Sequence, residues 1–466
     1  MKKLSAQDSA WLAIEGERTP MHIGGLSLFR LPEGAGPGHV REIVAQHAKV
    51  SAWRPPFNQK LLRGPAGLGW KLVEDEGMDV DYHIRHSALP ANGTYRDLFV
   101  LVSRLHSIAL DRQRPLWEFH IIEGLPDNQY ATYTKVHHAL ADGSAGVRLM
   151  HMGLSPDAEA RDLPSIWDAA ADKPRGLIGS GQRKARPGLR AQWAMVPQVA
   201  KVTTEMLRVA TGLKPSPLRT PWQAPRSILN GRLSGARRVV CQSWPIARLQ
   251  DTAKALDLTL NDLFLAMCSG AIRTYLQGLG ALPSDPLICG VPVAISREGE
   301  DDGMGNSISM AFANLGTHCA SPQMRIDAIR ESIRSAKQML SSLDRRSLMA
   351  YTALASSPLA VEQLSNLAGY LPPVFNLIVS NVPGPRNPLY WNGARLEHVY
   401  PISLLPDGQA LNVTAVSYVD SFDVGIVACR RTLPHMQRLI DHLEVALQEL
   451  EALAGRSQGR KRKTAA

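Results

Sequence analysis

The stretch from Gln129 to Met152 constrains this chain more than any other. Gln129 to Val136 mixes Tyr, Thr and Val in the loose alternation of a half-buried strand. Gly143 to Met152 follows with Val147, Leu149 and Met150 at helical spacing, and Asp142 fits the N-cap of that helix. His137 and His138 therefore stand where a strand ends and a turn begins. At such a place side chains reach into a cleft while the strand holds their backbone. Successive strand residues point to opposite faces, so one histidine is expected at the cleft and the other behind it. A neutral imidazole takes up a proton near pH 7, since its ordinary pKa is about 6.5. A base must also lie within hydrogen-bond reach of the hydroxyl or thiol it deprotonates. A buried histidine pair satisfied by backbone groups, with Asp142 only capping the helix, fits the spacing equally well.

The pattern His137-His138-x-x-x-Asp142-Gly143 resembles the HHxxxDG signature of the CoA-dependent acyltransferase superfamily. That signature alone leaves the branch open among chloramphenicol acetyltransferase-like enzymes, peptide-synthetase condensation domains and bacterial wax ester synthase/diacylglycerol acyltransferases. Other segments narrow it. Asp8, Trp11, Leu12, Glu15 and Pro20-Met21-His22-Ile23-Gly24 resemble the opening of wax ester synthases. Pro115-Leu116-Trp117 matches the family's PLW motif, Asn261-Asp262 its ND motif, and Ser380-Asn381-Val382-Pro383-Gly384-Pro385 its SNVPGP motif. The resemblance runs from about residue 4 to residue 453, interrupted between the two halves, and points to the wax ester synthase/diacylglycerol acyltransferase family.

Each motif also has a plain structural reading. Pro115 fixes the start of a strand, Trp117 is a large core side chain, and His22 is structural. Thr259 or Asn261 caps a helix, and Asp262 supports that segment.

The resemblance implies an α/β fold of two chloramphenicol acetyltransferase-like domains, with the active-site tunnel at their interface. It implies His138 as general base, His137 as its support, and Asn261 as a donor to the oxyanion. Asp142 is then structural and pairs with an arginine of the other domain, for which Arg297 is the candidate. The implied reaction carries a fatty acyl group from acyl-CoA to a long-chain alcohol or a diacylglycerol, without a covalent intermediate. Acyl-CoA is a co-substrate, and neither a metal nor another cofactor is expected. Ser144 is a poor nucleophile, because Asp142 occupies the first position of what would be a Gly-x-Ser-x-Gly elbow. A carrier-dependent condensation-type acyltransferase and a non-catalytic lipid-binding protein of the same fold remain as alternatives.

Length and charge fit this picture. A chain of 466 residues suggests two domains, since single cores stop growing at about 250–300 residues. We expect an N-terminal acyltransferase domain over 1–155 and a linker over 156–230. A C-terminal acyltransferase-like domain over 231–455 and a basic, disordered tail over 456–466 follow. The formal net charge of +10 favours anionic partners such as nucleic acid, anionic lipid or CoA. The resemblance selects acyl-CoA and lipid, with no nucleic acid. The five cysteines are scattered singly, without metal-ligand spacing or a disulfide framework, as in a reducing cytoplasm. No apolar run reaches the roughly 20 residues that span a bilayer. The expected location is therefore cytoplasmic, with peripheral contact to an anionic membrane or lipid droplet. Gln192 to Leu213 reads as an amphipathic helix, packed on its own protein or resting on such a surface.

Overall fold

The computed structural model describes residues 2–4, 6–36, 38–50, 52–64, 70–141, 152–168, 204, 208–209, 219–221, 223–294, 308–343, 345–365 and 367–464. The first half runs β1 (Lys2–Lys3), α1 (Ala6–Ile14), β2 (His22–Arg30), α2 (His39–Ala48), β3 (Gln59–Arg63), β4 (Trp70–Glu74), α3 (Val80–His83) and β5 (Ile84–Ala88). It continues through α4 (Tyr95–Ser107), β6 (Trp117–Glu123) and β7 (Gln129–His137). The second half holds β8 (Arg237–Pro245), α5 (Ile246–Ala255), α6 (Leu260–Gly278), β9 (Ile288–Ala294), β10 (Ile308–Asn314), α7 (Pro322–Ser341) and α8 (Arg345–Leu364). It ends with β11 (Leu377–Pro383), β12 (Tyr390–Trp391), β13 (Ala394–Ile402), β14 (Leu411–Tyr418), β15 (Ser421–Cys429) and α9 (Arg438–Thr464).

Two six-stranded sheets carry the architecture, ordered β12-β13-β2-β7-β6-β5 and β10-β9-β11-β14-β15-β8. A third, small sheet is ordered β1-β4-β3. The first large sheet is antiparallel except for β5 beside β6, and in the second β11 runs parallel to both neighbours. Strand residues directly opposite each other share a face. Ile23, Ser27 and Phe29 thus share one face with Val136, Thr132 and Tyr130, and Trp117, Phe119 and the Trp167 indole complete an outer core there. The other face carries His22, Leu26, His137, Lys135, Tyr133, Glu118 and His120. Leu26 and Tyr133 join Leu98 and Val102 of α4, and both sheets, in one large shared core. Helix α4 is started by a capping box between Thr94 and Asp97, and its Ser103 hydroxyl accepts the Val239 N–H of β8 at 2.8 Å.

The halves are less separate in space than in sequence. Strands β12 and β13, from residues 390–402, belong to the first sheet, where β13 pairs with β2. A Cβ on Gly425 of β15 would lie 2.0 Å from Pro401 O of β13, so the two sheets meet there with no room for a side chain. Described residues of the stretch 156–230, expected to be a linker, also contribute to the fold. Trp167 stacks on Trp117 with centroids 5.1 Å apart, and Asn230 bonds to Phe375 O at 3.0 Å. Trp167 and Asn230 act here as single inserted side chains, which no local periodicity would mark. Helix α9 continues to Thr464, through most of the segment expected to be disordered. No proline interrupts that run, and Ala, Glu, Leu, Lys and Arg favour helix. Among the described residues no single helix is long and apolar enough to cross a membrane. Helices α5 and α6 pass the length and composition test only as a pair, bent by 95°. Most of α6 lies in the shared core.

Candidate active site

The histidine pair sits at the end of β7, as its sequence context requires. His137 is the last strand residue and lies directly opposite His22 of β2. It is fully buried, and its Nδ1 accepts the Ala139 N–H at 3.0 Å. The ring proton therefore sits on Nε2, which lies 3.4 Å from Glu15 Oε1. Glu15, at the C-terminal side of α1, also accepts the Met21 N–H at 2.9 Å and the Arg112 Nε–H at 2.9 Å. Burial opposes its ionisation, but His137, Met21 and Arg112 outweigh that cost and hold the carboxyl at about 2.

His138 lies one residue beyond the strand, in a turn, and is only half-buried. Its N–H donates to Met21 O at 2.8 Å, and its ring packs on Trp11 with centroids 4.2 Å apart and planes inclined by 31°. His137 is thus the more deeply buried of the two imidazoles, and His138 keeps partial exposure although its Nδ1 is buried. The N-terminal motif acquires a spatial meaning here. Trp11 covers His138, Glu15 faces His137, Met21 binds the backbone of one and the carboxylate beside the other, and His22 pairs in register. Gly24 completes the motif, since a Cβ there would fall 2.6 Å from the Tyr133 ring.

His22 is a core residue: its Nε2–H donates to His106 O at 3.0 Å, and burial pushes its pKa well below the ordinary value. Burial likewise depresses His106 to about 3, and its Nδ1 lies 2.8 Å from the Tyr133 hydroxyl. Beside them on the same sheet face runs a buried ionic chain that the sequence did not single out. Lys135 Nζ lies 3.2 Å from Glu118 Oε2, which lies 3.2 Å from His120 Nε2, and Arg85 stands 3.5 Å from the same carboxylate. The alternation of charged and apolar residues in Glu118-Phe119-His120 and Lys135-Val136 was its only sequence signal.

Leu116 and Trp117 are core residues, as the plain reading of their motif held. Leu116 O accepts the His137 N–H at 3.0 Å, and Trp117 Nε1 donates to Phe57 O at 2.8 Å. Asn261 is the second residue of α6, half-exposed, while Thr259 is the cap and Asp262 closes its capping box. Among the described residues no hydrogen bond joins Asn261 to either histidine. Asp142 and Arg297 both lie outside the described residues. So does most of the Gln192–Leu213 segment, although Val209 is buried and its carbonyl accepts Gln223 Nε2 at 3.2 Å.

A separate cavity of about 30 Å³ lies on the outer face of the first sheet, lined among others by His47, Thr132, Thr134 and Trp391. It has room for a water or two and not for a lipid tail. Among the described residues no cluster of three His, Cys, Asp or Glu side chains is placed to hold a metal ion.

Comparison with known proteins decides the branch. The model of the wax ester synthase/diacylglycerol acyltransferase catalytic domain matches residues 4–264, and that of the family's C-terminal domain matches residues 304–451. The chain belongs to the wax ester synthase/diacylglycerol acyltransferase family. A Mycobacterium tuberculosis relative, named "Probable diacylglycerol O-acyltransferase tgs2", is 41% identical over 98% of this chain and 100% of its own length. The solved wax ester synthase/diacylglycerol acyltransferase of Marinobacter aquaeolei superposes with a TM-score of 0.79 at 38% identity, over 98% of this chain and 100% of that one. The starter condensation domain of rhizomide synthetase shares the fold at 16% identity, with a TM-score of 0.56 over 97% of this chain and 94% of that one. The family's opening motif is the one whose residues surround the histidine pair, and acyl transfer is the family's reaction.

Proposed function

We propose that this acyltransferase moves a fatty acyl group from acyl-CoA to the hydroxyl of a long-chain alcohol or a diacylglycerol, with His138 as general base. The observation that carries the assignment is the unequal setting of the two imidazoles. His137 is fully buried, with Nδ1 accepting the Ala139 N–H and Nε2 lying 3.4 Å from Glu15 Oε1, whereas His138 stands one residue beyond the strand, in a turn, and is only half-buried.

His138 removes the proton of the acceptor hydroxyl as its oxygen attacks the thioester carbonyl. The carbonyl oxygen becomes an oxyanion, and the side-chain N–H of Asn261 is the candidate donor to it. The C–S bond breaks, CoA leaves as thiolate, and the imidazolium returns the proton to it. The balance requires only the two substrates, so acyl-CoA is the co-substrate and no resident cofactor enters. His137 and Glu15 act through position, keeping the strand end and the turn in place. Asp142 and Arg297 are proposed as a structural pair. Both substrates carry long apolar chains, and we place the protein in the cytoplasm with peripheral contact to an anionic membrane or lipid droplet.

CoA release from palmitoyl-CoA, with and without hexadecanol or diacylglycerol, tests the reading. Wild type should release CoA only with acceptor and yield ester, identified by mass. His138→Ala should lower kcat by about 10²–10⁴-fold while melting as wild type. Acceptor-independent release would make the chain a thioesterase, and a His138→Ala variant with full turnover would remove the base assignment.

A further inference from the structure

Among the described residues, four of the exposed large apolar side chains fall within ten positions. Val361 is 58% exposed, Leu364 64%, Leu367 44% and Tyr370 60%. They recur every third residue, from the last turn of α8 into the turns beyond it. Those turns hold their shape by backbone bonds, with Leu367 N–H donating to Glu362 O at 3.2 Å and Tyr370 N–H to Leu367 O at 3.0 Å. Basic groups stand at the tip. Arg226 is exposed and donates to Tyr370 O at 2.7 Å, and the Arg232 guanidinium lies 5.5 Å from the centre of the Tyr370 ring and 3.8 Å from the buried Asp407 carboxylate. In the sequence from Ser357 to Asn376 the sole carboxylate is Glu362, and it is buried.

We infer that the ridge Val361–Leu364–Leu367–Tyr370, with Arg226 and Arg232, is the surface by which the protein docks on an anionic phospholipid leaflet. The inference rests on the proposed use of lipid substrates, and names the contact that such use needs. Aliphatic side chains enter the acyl boundary, a tyrosine sits at headgroup level, and arginines meet lipid phosphates. A stretch whose one carboxylate is buried, beside the exposed Arg226 and on a chain of net charge +10, is complementary to a negative surface. Scattered exposed apolar residues are ordinary on any protein, but a contiguous ridge is not.

Co-sedimentation of the full-length protein with vesicles tests this. One set is phosphatidylcholine alone, and the other contains about a third phosphatidylglycerol. Wild type should partition onto the anionic vesicles. Val361→Ser/Leu364→Ser, which alters two side chains already open to solvent, should melt as wild type and bind about tenfold more weakly or less. Arg226→Gln should weaken binding to the anionic vesicles and leave binding to phosphatidylcholine unchanged. Equal binding by wild type and the folded double variant would overturn the ridge while leaving membrane contact in place. A wild type that binds neither vesicle would overturn both, yet its alcohol-dependent ester formation would still stand. Loss of self-association in the double variant, with unchanged vesicle binding, would make the ridge a protein interface and overturn the inference.

Discussion

Glu15 Oε1 lies 3.4 Å from the Nε2 of His137, and this contact ties the first helix to the strand end that carries the histidine pair. Removing the carboxylate would leave the buried Met21 N–H without its acceptor and Arg112 with only Leu12 O. Glu15→Ala should therefore cost about 3–5 kcal/mol, and Glu15→Gln, which keeps an acceptor oxygen, clearly less. The folded carboxyl sits at about 2 against an ordinary 4.5. Its contribution is thus present above about pH 4.5 and is lost as pH falls from there toward 2. Melting curves from pH 7 to 3 should show a shallower acid limb for Glu15→Gln than for wild type. An unchanged limb would mean that the pair contributes nothing.

Lys135 and Glu118 form a second buried pair, on the sheet face that carries Tyr133 of the shared core. Burial lowers the Lys135 pKa, with Glu118 partly offsetting it; burial also opposes the charge on Glu118, which His120, Lys135 and Arg85 hold at about 2. Breaking such a pair from one side strands a charge. Glu118→Ala should cost about 3–5 kcal/mol, and adding Lys135→Met should recover part of that loss. The folded double variant should keep its turnover, since neither group is placed to touch substrate. A double variant that is additive in stability would show that the pair is uncoupled, and one that is stable yet inactive would give the pair a role in the reaction.

The strands and helices with strong local signals were legible from the sequence. The strand at Gln129 ends at the histidine pair, and α6 starts at Thr259, one of the two caps expected for it. The unequal burial of His137 and His138 agrees with strand alternation, although His138 lies one residue past the strand end. What stayed hidden is non-local. Nothing near Trp167 announces that it stacks on Trp117, and nothing near Ala394 announces a partner in β2, because both depend on segments far away in the chain. Glu15 was visible only as a letter in a motif. Its partner at position 137 is set by how α1 lies against β7, and no local rule encodes that.

Asp423 of β15 fastens the two sheets together. It is fully buried, and its carboxylate accepts the Val399 N–H of β13 at 2.7 Å, the Ser243 hydroxyl at 2.6 Å and the Ser421 hydroxyl at 2.5 Å. His398 Nδ1 lies 3.1 Å from the same group, and although burial lowers its pKa, Asp423 outweighs that and raises it. Asp423→Ala leaves several donors unsatisfied at once and should cost about 3–5 kcal/mol. The His398 contribution is complete below the ordinary histidine value and is lost as pH rises through the raised one. His398→Ala should flatten the stability profile on the alkaline side of pH 6.5, and a profile parallel to wild type there would exclude this source.

Glu362 provides the opposite sign in a carboxylate. It lies buried next to Val361, its Oε1 has no hydrogen-bond partner among the described residues, and burial pushes its pKa up to about 7. A carboxyl whose folded value is raised favours the folded state below about pH 4.5, and that advantage is lost as pH rises through 7. Relaxation around the ionised group recovers part of this cost, so less than the full shift is realised and the loss is on the order of 1–2 kcal/mol. Glu362→Gln keeps the shape and removes the charge. It should match wild type at pH 4.5 and melt about 1–4 °C higher at pH 8. The same substitution should strengthen binding to anionic vesicles at pH 8 and change nothing at pH 5, because only an ionised Glu362 places a negative charge beneath the ridge. A Glu362→Gln protein that melts with wild type at both pH values would show that the carboxyl is hydrated in the folded state and titrates like a surface group.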